Sequence, residues 1–237
     1  MTAIIPKRGA DPEAAARRAL VPAYYRKGER QNWHQQGRHA AVLTMLKGLS
    51  GRVLDYGCGY GDLAFAMSRE HEVCGVDLDP ERVAFAQQEY EPIEFQHCSV
   101  ENAPYDDASF EIVTSIVVIN FIADASGHLR SIRRLLKPGG HLLLACRNVE
   151  AVRDTMRKLI GRGPAPRKVF VRPREEMRLL LRDNGFAILK ESWFYDPPFL
   201  GWKNAGDYLV GSMEQLLSLA GVSATAGYFL MLAKVQK

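Results

Sequence analysis

The segment Val53-Leu54-Asp55-Tyr56-Gly57-Cys58-Gly59-Tyr60-Gly61-Asp62 constrains the fold more than any other part of the chain. It follows a short apolar run and leads into helical spacing, with glycines at 57, 59 and 61. Glycine permits a tight turn and lets a ligand approach the backbone, while a helix start offers unpaired N–H groups. A strand must lie on one side of such a loop and a helix on the other. The rhythm then repeats. Short β-branched or apolar runs at 52–55, Glu72–Asp77, 93–98, 110–118 and 141–146 alternate with helical stretches at about 61–69, 80–90 and 124–137. This alternation gives βαβ units and a doubly wound α/β fold, a parallel sheet with helices on both faces. Lys137-Pro138-Gly139-Gly140 reads as the end of the last helix and a flexible turn into the next strand.

Outside this block the N-terminal stretch predicts helices near 12–20 and 34–48, the second with Ala41, Leu43, Leu46 and Leu49 on its apolar face. Past Arg147 come helical stretches near 149–161 and 173–184, a strand at 186–195, a helix near 205–219 and a strand at 226–235. The two late strands are expected to pair antiparallel at the sheet edge. With 237 residues, one core can bury well over half of the unfolded surface. The four cysteines form no CxxC pair and no His stands at metal-finger spacing, so they read as reduced, buried thiols, with no metal site. The longest apolar run, 112–123, contains Thr114, Ser115 and Asn120 and is far too short to span a bilayer, and the start lacks a secretory apolar stretch. A cytoplasmic, non-spanning protein is expected.

Two nucleotide-like ligands suit the glycine loop. Asp77, at the end of the second strand, is placed to accept hydrogen bonds from both hydroxyls of a ribose. The dinucleotide pattern GxGxxG needs Gly or Ala where Asp62 stands, and a carboxylate there repels a pyrophosphate. Asp55 adds a second carboxylate, which favours a cationic ligand without phosphate. The loop, the acid after strand two, Pro104-Tyr105-Asp106-Asp107-Ala108-Ser109-Phe110-Glu111-Ile112-Val113 and Leu135-Leu136-Lys137-Pro138-Gly139-Gly140 together resemble the class I S-adenosylmethionine-dependent methyltransferases. The resemblance covers residues 40–147, with several motifs in order. It implies a Rossmann-like, mostly parallel seven-stranded sheet with a reversed last strand, and S-adenosyl-L-methionine as cofactor, released as S-adenosyl-L-homocysteine. Carried over by position, it implies that Asp55, Gly57, Cys58 and Gly59 line the methionine part, Asp77 holds the ribose and Leu78 packs beside the adenine. Ser99 and Val100 meet the adenine edge, and Ile116 closes the pocket. Ser99 departs from the Asp that the family often has there, so that either its hydroxyl supplies a weaker acceptor or the Val100 backbone N–H makes the main contact. Arg38 could reach the cofactor carboxylate. The chain is then one domain over 1–237, with an N-terminal helical lid at 1–48, a cofactor-binding core at 49–147 and substrate-side helices with the last two strands at 148–237.

The acceptor is less legible. Asp196-Pro197-Pro198-Phe199 matches a signature of amino-methyltransferases, but it follows the sixth strand instead of the fourth and reads better as an X-Pro-Pro turn. Trp193, Phe194, Tyr195, Phe199 and Trp202 are either core or an apolar wall for a flat or lipidic acceptor, and Tyr24, Tyr25 and Trp33 offer a matching lid. Asn120 and His97 are weak candidates for catalysis, read first as structural hydrogen-bonding groups, and His128 reads as a surface residue on a helix. The net charge of +4 hides an uneven distribution. Residues 1–38 carry eight basic and three acidic side chains, 39–146 carry eight and fifteen, and 147–182 carry eleven and four. The stretch with Arg153, Arg157, Lys158, Arg162, Arg167, Lys168, Arg172 and Arg174 suits a solvated face, an anionic membrane surface or RNA. The function these features point to is methyl transfer to a small or lipidic organic acceptor at oxygen or carbon, similar to the enzymes of quinone and secondary metabolism. An RNA methyltransferase and a non-catalytic cofactor-binding regulator are the alternatives. DNA is not an expected partner, and the oligomeric state is left open.

Overall fold

Successive side chains of a β-strand point to opposite faces, and in this chain that alternation sorts the core into two halves. The computed structural model describes residues 33–148, 170–194 and 228–236. The described elements, in chain order, are α1 (Trp33–Leu46), β1 (Arg52–Tyr56), α2 (Asp62–Met67), β2 (Glu72–Asp77), α3 (Pro80–Glu89), β3 (Glu94–His97), β4 (Phe110–Ile116), α4 (Ala125–Leu135), β5 (Leu136–Arg147), α5 (Arg174–Asp183), β6 (Phe186–Phe194) and β7 (Tyr228–Val235). Short 3-10 turns at Val100–Asn102 and Ile119–Phe121 follow β3 and β4.

The strands form one seven-stranded sheet in the order β3-β2-β1-β4-β5-β7-β6. β1 to β5 run parallel to their neighbours, and β7 runs antiparallel to both β5 and β6. This is the mostly parallel sheet with a reversed last strand that the motifs imply. The late pair is antiparallel and lies at the sheet edge as expected, with β6 outermost and β7 between β5 and β6. The sequence of β7 explains its position: Phe229, Leu230, Met231, Leu232 and Ala233 are all buried, as a strand covered on both faces requires.

Leu54, Tyr56, Val113, Leu142, Leu144, Phe229 and Met231 face α4 and α5, where Leu129, Ile132, Leu135, Met177 and Leu181 meet them. Val53, Ile112, Leu143, Ala145, Leu230 and Leu232 face α1, α2 and α3, which contribute Val42, Leu46, Leu63, Met67, Val83 and Ala86. Apolar burial of about 1.5–3 kcal/mol per large side chain therefore accrues on both sides.

Two boundaries differ from the sequence reading. α4 stops at Leu135, and the Lys137-Pro138-Gly139-Gly140 turn falls within β5 instead of before it. Phe110 pairs with Leu136 and Ile112 with His141, so this turn is an outward bulge in a strand that pairs on both sides of it. Lys137 on the bulge forms an ion pair with Glu111 of β4, whose other oxygen accepts the Arg52 N–H at 2.7 Å. The unit beginning at Arg38 contains the whole sheet. The helices expected near 12–20, 149–161 and 205–219, the Asp196-Pro197-Pro198-Phe199 turn, Tyr24, Tyr25, Tyr195, Phe199, Trp202 and the basic residues from Arg153 to Lys168 lie outside the described residues.

Candidate functional site

Buried polar groups are costly unless they are satisfied or used. Among the described residues they are Asp55, Thr114, Ser115, Asn120, His128 and Asn148. Asp55 comes from β1, Thr114 and Ser115 from β4, Asn120 from the turn after β4, and Asn148 follows β5; His128 on α4 packs against that end of the sheet. The group therefore gathers at the C-terminal ends of the central strands, where β1 is flanked by β2 and β4 and ligands bind in doubly wound sheets.

The glycine loop leaves β1 at this point and is tied to the end of β2. The Gly57 and Cys58 N–H groups donate to the Val76 carbonyl at 2.7 and 3.0 Å. Gly57 has φ +76 and faces Val118 so closely that a Cβ would lie 2.2 Å from its Cγ2. At Gly59, with φ +56, a Cβ would meet nothing within 4 Å, so the loop is open on that side. The Gly59 N–H donates to Asp77 Oδ2 at 2.9 Å, and the Asp79 N–H donates to Asp77 Oδ1 at 2.9 Å. Each Asp77 oxygen thus keeps lone-pair capacity for a further donor. Leu78 beside it is 61% exposed, an apolar surface next to the loop. Asp62 turns toward α3, where the Tyr90 hydroxyl donates to its Oδ1 at 2.6 Å; burial nevertheless raises its pKa.

Asp55 is fully enclosed. Its Oδ1 accepts from the Thr114 hydroxyl at 2.7 Å, and its Oδ2 has no hydrogen-bond partner among the described residues. Burial pushes its pKa up to about 6 against the Thr114 bond and the Arg38 charge, both of which favour the carboxylate. The neighbouring Cys58 thiol is pushed upward, first by burial and then by the Asp55 and Asp77 charges. A buried carboxylate oxygen in need of a donor, an acid with spare acceptor capacity and an exposed leucine fit a cofactor with an ammonium group, a ribose and an aromatic base.

Ser99 precedes the 3-10 turn in extended conformation, while the Val100 side chain is fully buried. Ile116 ends β4. The next residue, Val117, holds φ +69, a left-handed conformation that is strained for a β-branched side chain. This strained position and Thr114 are features that sequence reasoning passed over. The Thr114-Ser115 pair interrupting an apolar strand was the visible signal for the second; nothing local marks the first.

His97 is exposed, and its Nε2 lies 3.1 Å from the Leu78 carbonyl, bracing the end of β2. Asn120 is buried, and its backbone carbonyl accepts the Phe170 N–H at 2.7 Å. His128 is not a surface residue: it is 1% exposed, its Nε2 lies 3.5 Å from Ser115 Oγ and its ring packs on Tyr56 at 4.8 Å. Burial lowers its pKa to about 4. Arg172 and Arg174 of the basic stretch make contacts within the chain. Arg172 donates to the carbonyls of Ile119, Phe170, Ile122 and Ala123 at 3.0–3.3 Å, and Arg174 pairs with Glu191 at 3.5 Å over the Trp193 ring. All four cysteines are free, three of them buried and Cys98 partly exposed. No described helix is long and apolar enough to cross a membrane.

Comparison with known proteins agrees with this geometry. The family model described as "Methyltransferase domain" matches residues 54–144. A demethylmenaquinone methyltransferase of Chlorobaculum tepidum is 37% identical over 91 residues, 38% of this chain and 38% of that relative, so the match spans well under half of its length. A ubiquinone biosynthesis O-methyltransferase of Xanthomonas euvesicatoria is 30% identical over 178 residues, covering 69% of this chain and 72% of the relative. The solved structure of a SAM-dependent methyltransferase from Thermotoga maritima shares the fold, with TM-score 0.65 and 18% identity over 92% of this chain and 98% of that one. The sheet order, the glycine loop between two buried or half-buried carboxylates and these relatives place the chain among the class I S-adenosylmethionine-dependent methyltransferases.

Proposed function

We propose that the chain methylates a small or lipidic organic acceptor at oxygen or carbon, beside the C-terminal ends of β1 and β4. The observation that carries this reading is the segment after β4. Ile116-Val117-Val118-Ile119-Asn120-Phe121 is apolar at every position but Asn120, and Phe121 is 51% and the adjoining Phe170 37% exposed. Such a surface suits an apolar acceptor better than a charged one. The names of the two quinone-pathway relatives, one a ubiquinone biosynthesis O-methyltransferase, support the same class.

When bound, S-adenosylmethionine supplies a sulfonium methyl group that an acceptor displaces in line. The chain's residues bind and orient. In this reading Asp55 Oδ2 accepts the amino group and Arg38 pairs with the carboxylate of the cofactor. The Gly57, Cys58 and Gly59 backbone lines the methionine part, Asp77 holds the ribose, Leu78 covers the adenine, Ser99 and the Val100 segment meet its edge, and Ile116 closes the site. Alignment of acceptor and methyl provides the acceleration, so no dedicated base is obligatory. Asn120 and His97 are read as structural groups: the Asn120 backbone carbonyl anchors Phe170, and the His97 ring braces Leu78.

Calorimetry with S-adenosylmethionine on the wild type and Asp77→Ala tests the cofactor assignment. Loss of hydrogen bonds to a charged acceptor should weaken binding by roughly 10- to 100-fold. Equal affinity in the two proteins refutes the role of Asp77. Transfer of tritiated methyl into fractionated lipid, RNA and small-molecule extracts tests the acceptor. Label confined to RNA overturns the proposed class.

A further inference from the structure

Asp55 and Thr114 are register partners on β1 and β4, and their side chains emerge on the same face of the sheet. The contact between them is short, at 2.7 Å, and both residues are at most 2% exposed. A carboxylate has two equivalent oxygens and turns freely about its last bond unless one oxygen is held. Here the Thr114 hydroxyl holds Oδ1, and Oδ2 is the oxygen with no partner among the described residues. The hydroxyl has little alternative use, since its other contact, the Leu54 carbonyl, is at 3.5 Å.

We propose that Thr114 is a positioning residue for the cofactor: by occupying Oδ1 of Asp55 it turns Oδ2 toward the amino group of S-adenosylmethionine. This rests on the reading of Asp55 as the acceptor of that amino group. The chemistry is that of a charge-assisted hydrogen bond whose donor comes from the ligand and whose acceptor is aligned beforehand by a neighbouring strand. The charged groups that face Asp55 are Arg38, which favours its ionised form, and Asp77, which opposes it; the Cys58 thiol beside it is kept neutral by burial. With Thr114 removed, burial acts on Asp55 with less opposition, and the carboxyl protonates at a higher pH. Thr114 thereby helps to set the acid limit of cofactor binding as well as its strength.

The test is calorimetric titration of the full chain with S-adenosylmethionine between about pH 5 and 7.5, a window that brackets the carboxyl without reaching the free α-amino range. The wild type should bind evenly at the top of the window and lose affinity as pH falls through about 6. Thr114→Val keeps the shape without the hydroxyl and should bind roughly tenfold more weakly at the upper pH, with the decline beginning about one unit higher. Thr114→Ser should restore both the affinity and the midpoint, which a purely packing role would not do. Asp55→Asn should bind weakly and evenly across the window, and Thr114→Val should cost nothing further in that background. Should Thr114→Val fail to fold, Thr114→Cys, with similar volume and a weak donor, should lie between the wild type and Asp55→Asn. Wild-type affinity and midpoint in Thr114→Val or Thr114→Cys, alongside a weakened Asp55→Asn, overturns the role of Thr114 alone. Wild-type binding by Asp55→Asn overturns the Asp55 reading, and the proposal with it.

Discussion

Replacing His128 by Gln should make the fold more tolerant of acid, by an amount the structure sets. The ring is 1% exposed and its Nδ1 is buried with no hydrogen-bond partner among the described residues. Burial lowers its pKa from 6.5 to about 4, with Glu101 pulling slightly the other way. Above pH 6.5 the ring is neutral in both folded and unfolded chains, and it contributes no pH dependence. As pH falls from 6.5 to 4, the unfolded chain takes up a proton that the folded chain refuses, which costs about 1.36 kcal/mol per unit. The penalty approaches about 3 kcal/mol and stops growing below pH 4, where the folded ring is protonated as well. Gln keeps a polar group beside Ser115 and does not titrate. Asp55 has the opposite linkage: its raised pKa means that a neutral-pH penalty is relieved as pH falls through about 6 toward 3.8. The wild-type curve alone therefore conceals both terms, and variant must be compared with wild type. Urea unfolding followed by circular dichroism should show the stability difference moving by about 2.5 kcal/mol in favour of His128→Gln between pH 7 and 4.5. A difference that stays constant across this range refutes the buried, neutral His128.

Gly57→Ala should lose about 2–4 kcal/mol, from a left-handed φ and a Cβ placed against Val118, and Val118→Ala in the same chain should recover the steric part. Thermal melts of the two single variants and the double variant check this, and a neutral Gly57→Ala would contradict the packing. Arg172→Ala leaves the carbonyls of Ile119, Phe170, Ile122 and Ala123 without their shared donor and should cost about 2–3 kcal/mol. Hydrogen exchange should accelerate at the Phe170 N–H, which is bonded to Asn120, and stay unchanged in β1 and β2; unaltered exchange at Phe170 would show that Arg172 does not hold this segment.

The strands and helices between Gly51 and Cys146 were legible because each carries a local signal: apolar runs, glycines at the turn, and spacing on the helices. The position of β7 was not, because it depends on pairing across the chain; Leu142 meets Ala233 through a contact that no window of sequence contains. The bulge in β5 was hidden for the opposite reason. Pro138 and two glycines look locally like a turn between elements, yet the strand resumes its pairing on both sides. His128 was misread although the signal existed: Ala125, His128, Leu129, Ile132 and Leu135 share one helical stripe, and four of the five are apolar. Asp55 and Asp77 could be singled out by their places at strand ends, whereas the partner of Asp55 emerged only once β4 was set beside β1 in register. The charge of the basic stretch suggested an outside partner, but Arg172 and Arg174 are turned inward to carbonyls and Glu191, a choice that composition does not encode.

The place of β7 between β5 and β6 has a consequence for how the chain is made. β6 hydrogen-bonds to β7 and to no other strand of the sheet, although it is translated first. At roughly 5–20 residues per second, the ribosome takes a few seconds to pass from Phe194 to Val235. During that interval β5 and β6 each lack the partner that β7 supplies in the folded sheet. The segment that joins them, Tyr228–Val235, is made after both, so until it is in place each of the two strands carries an edge that the finished sheet covers.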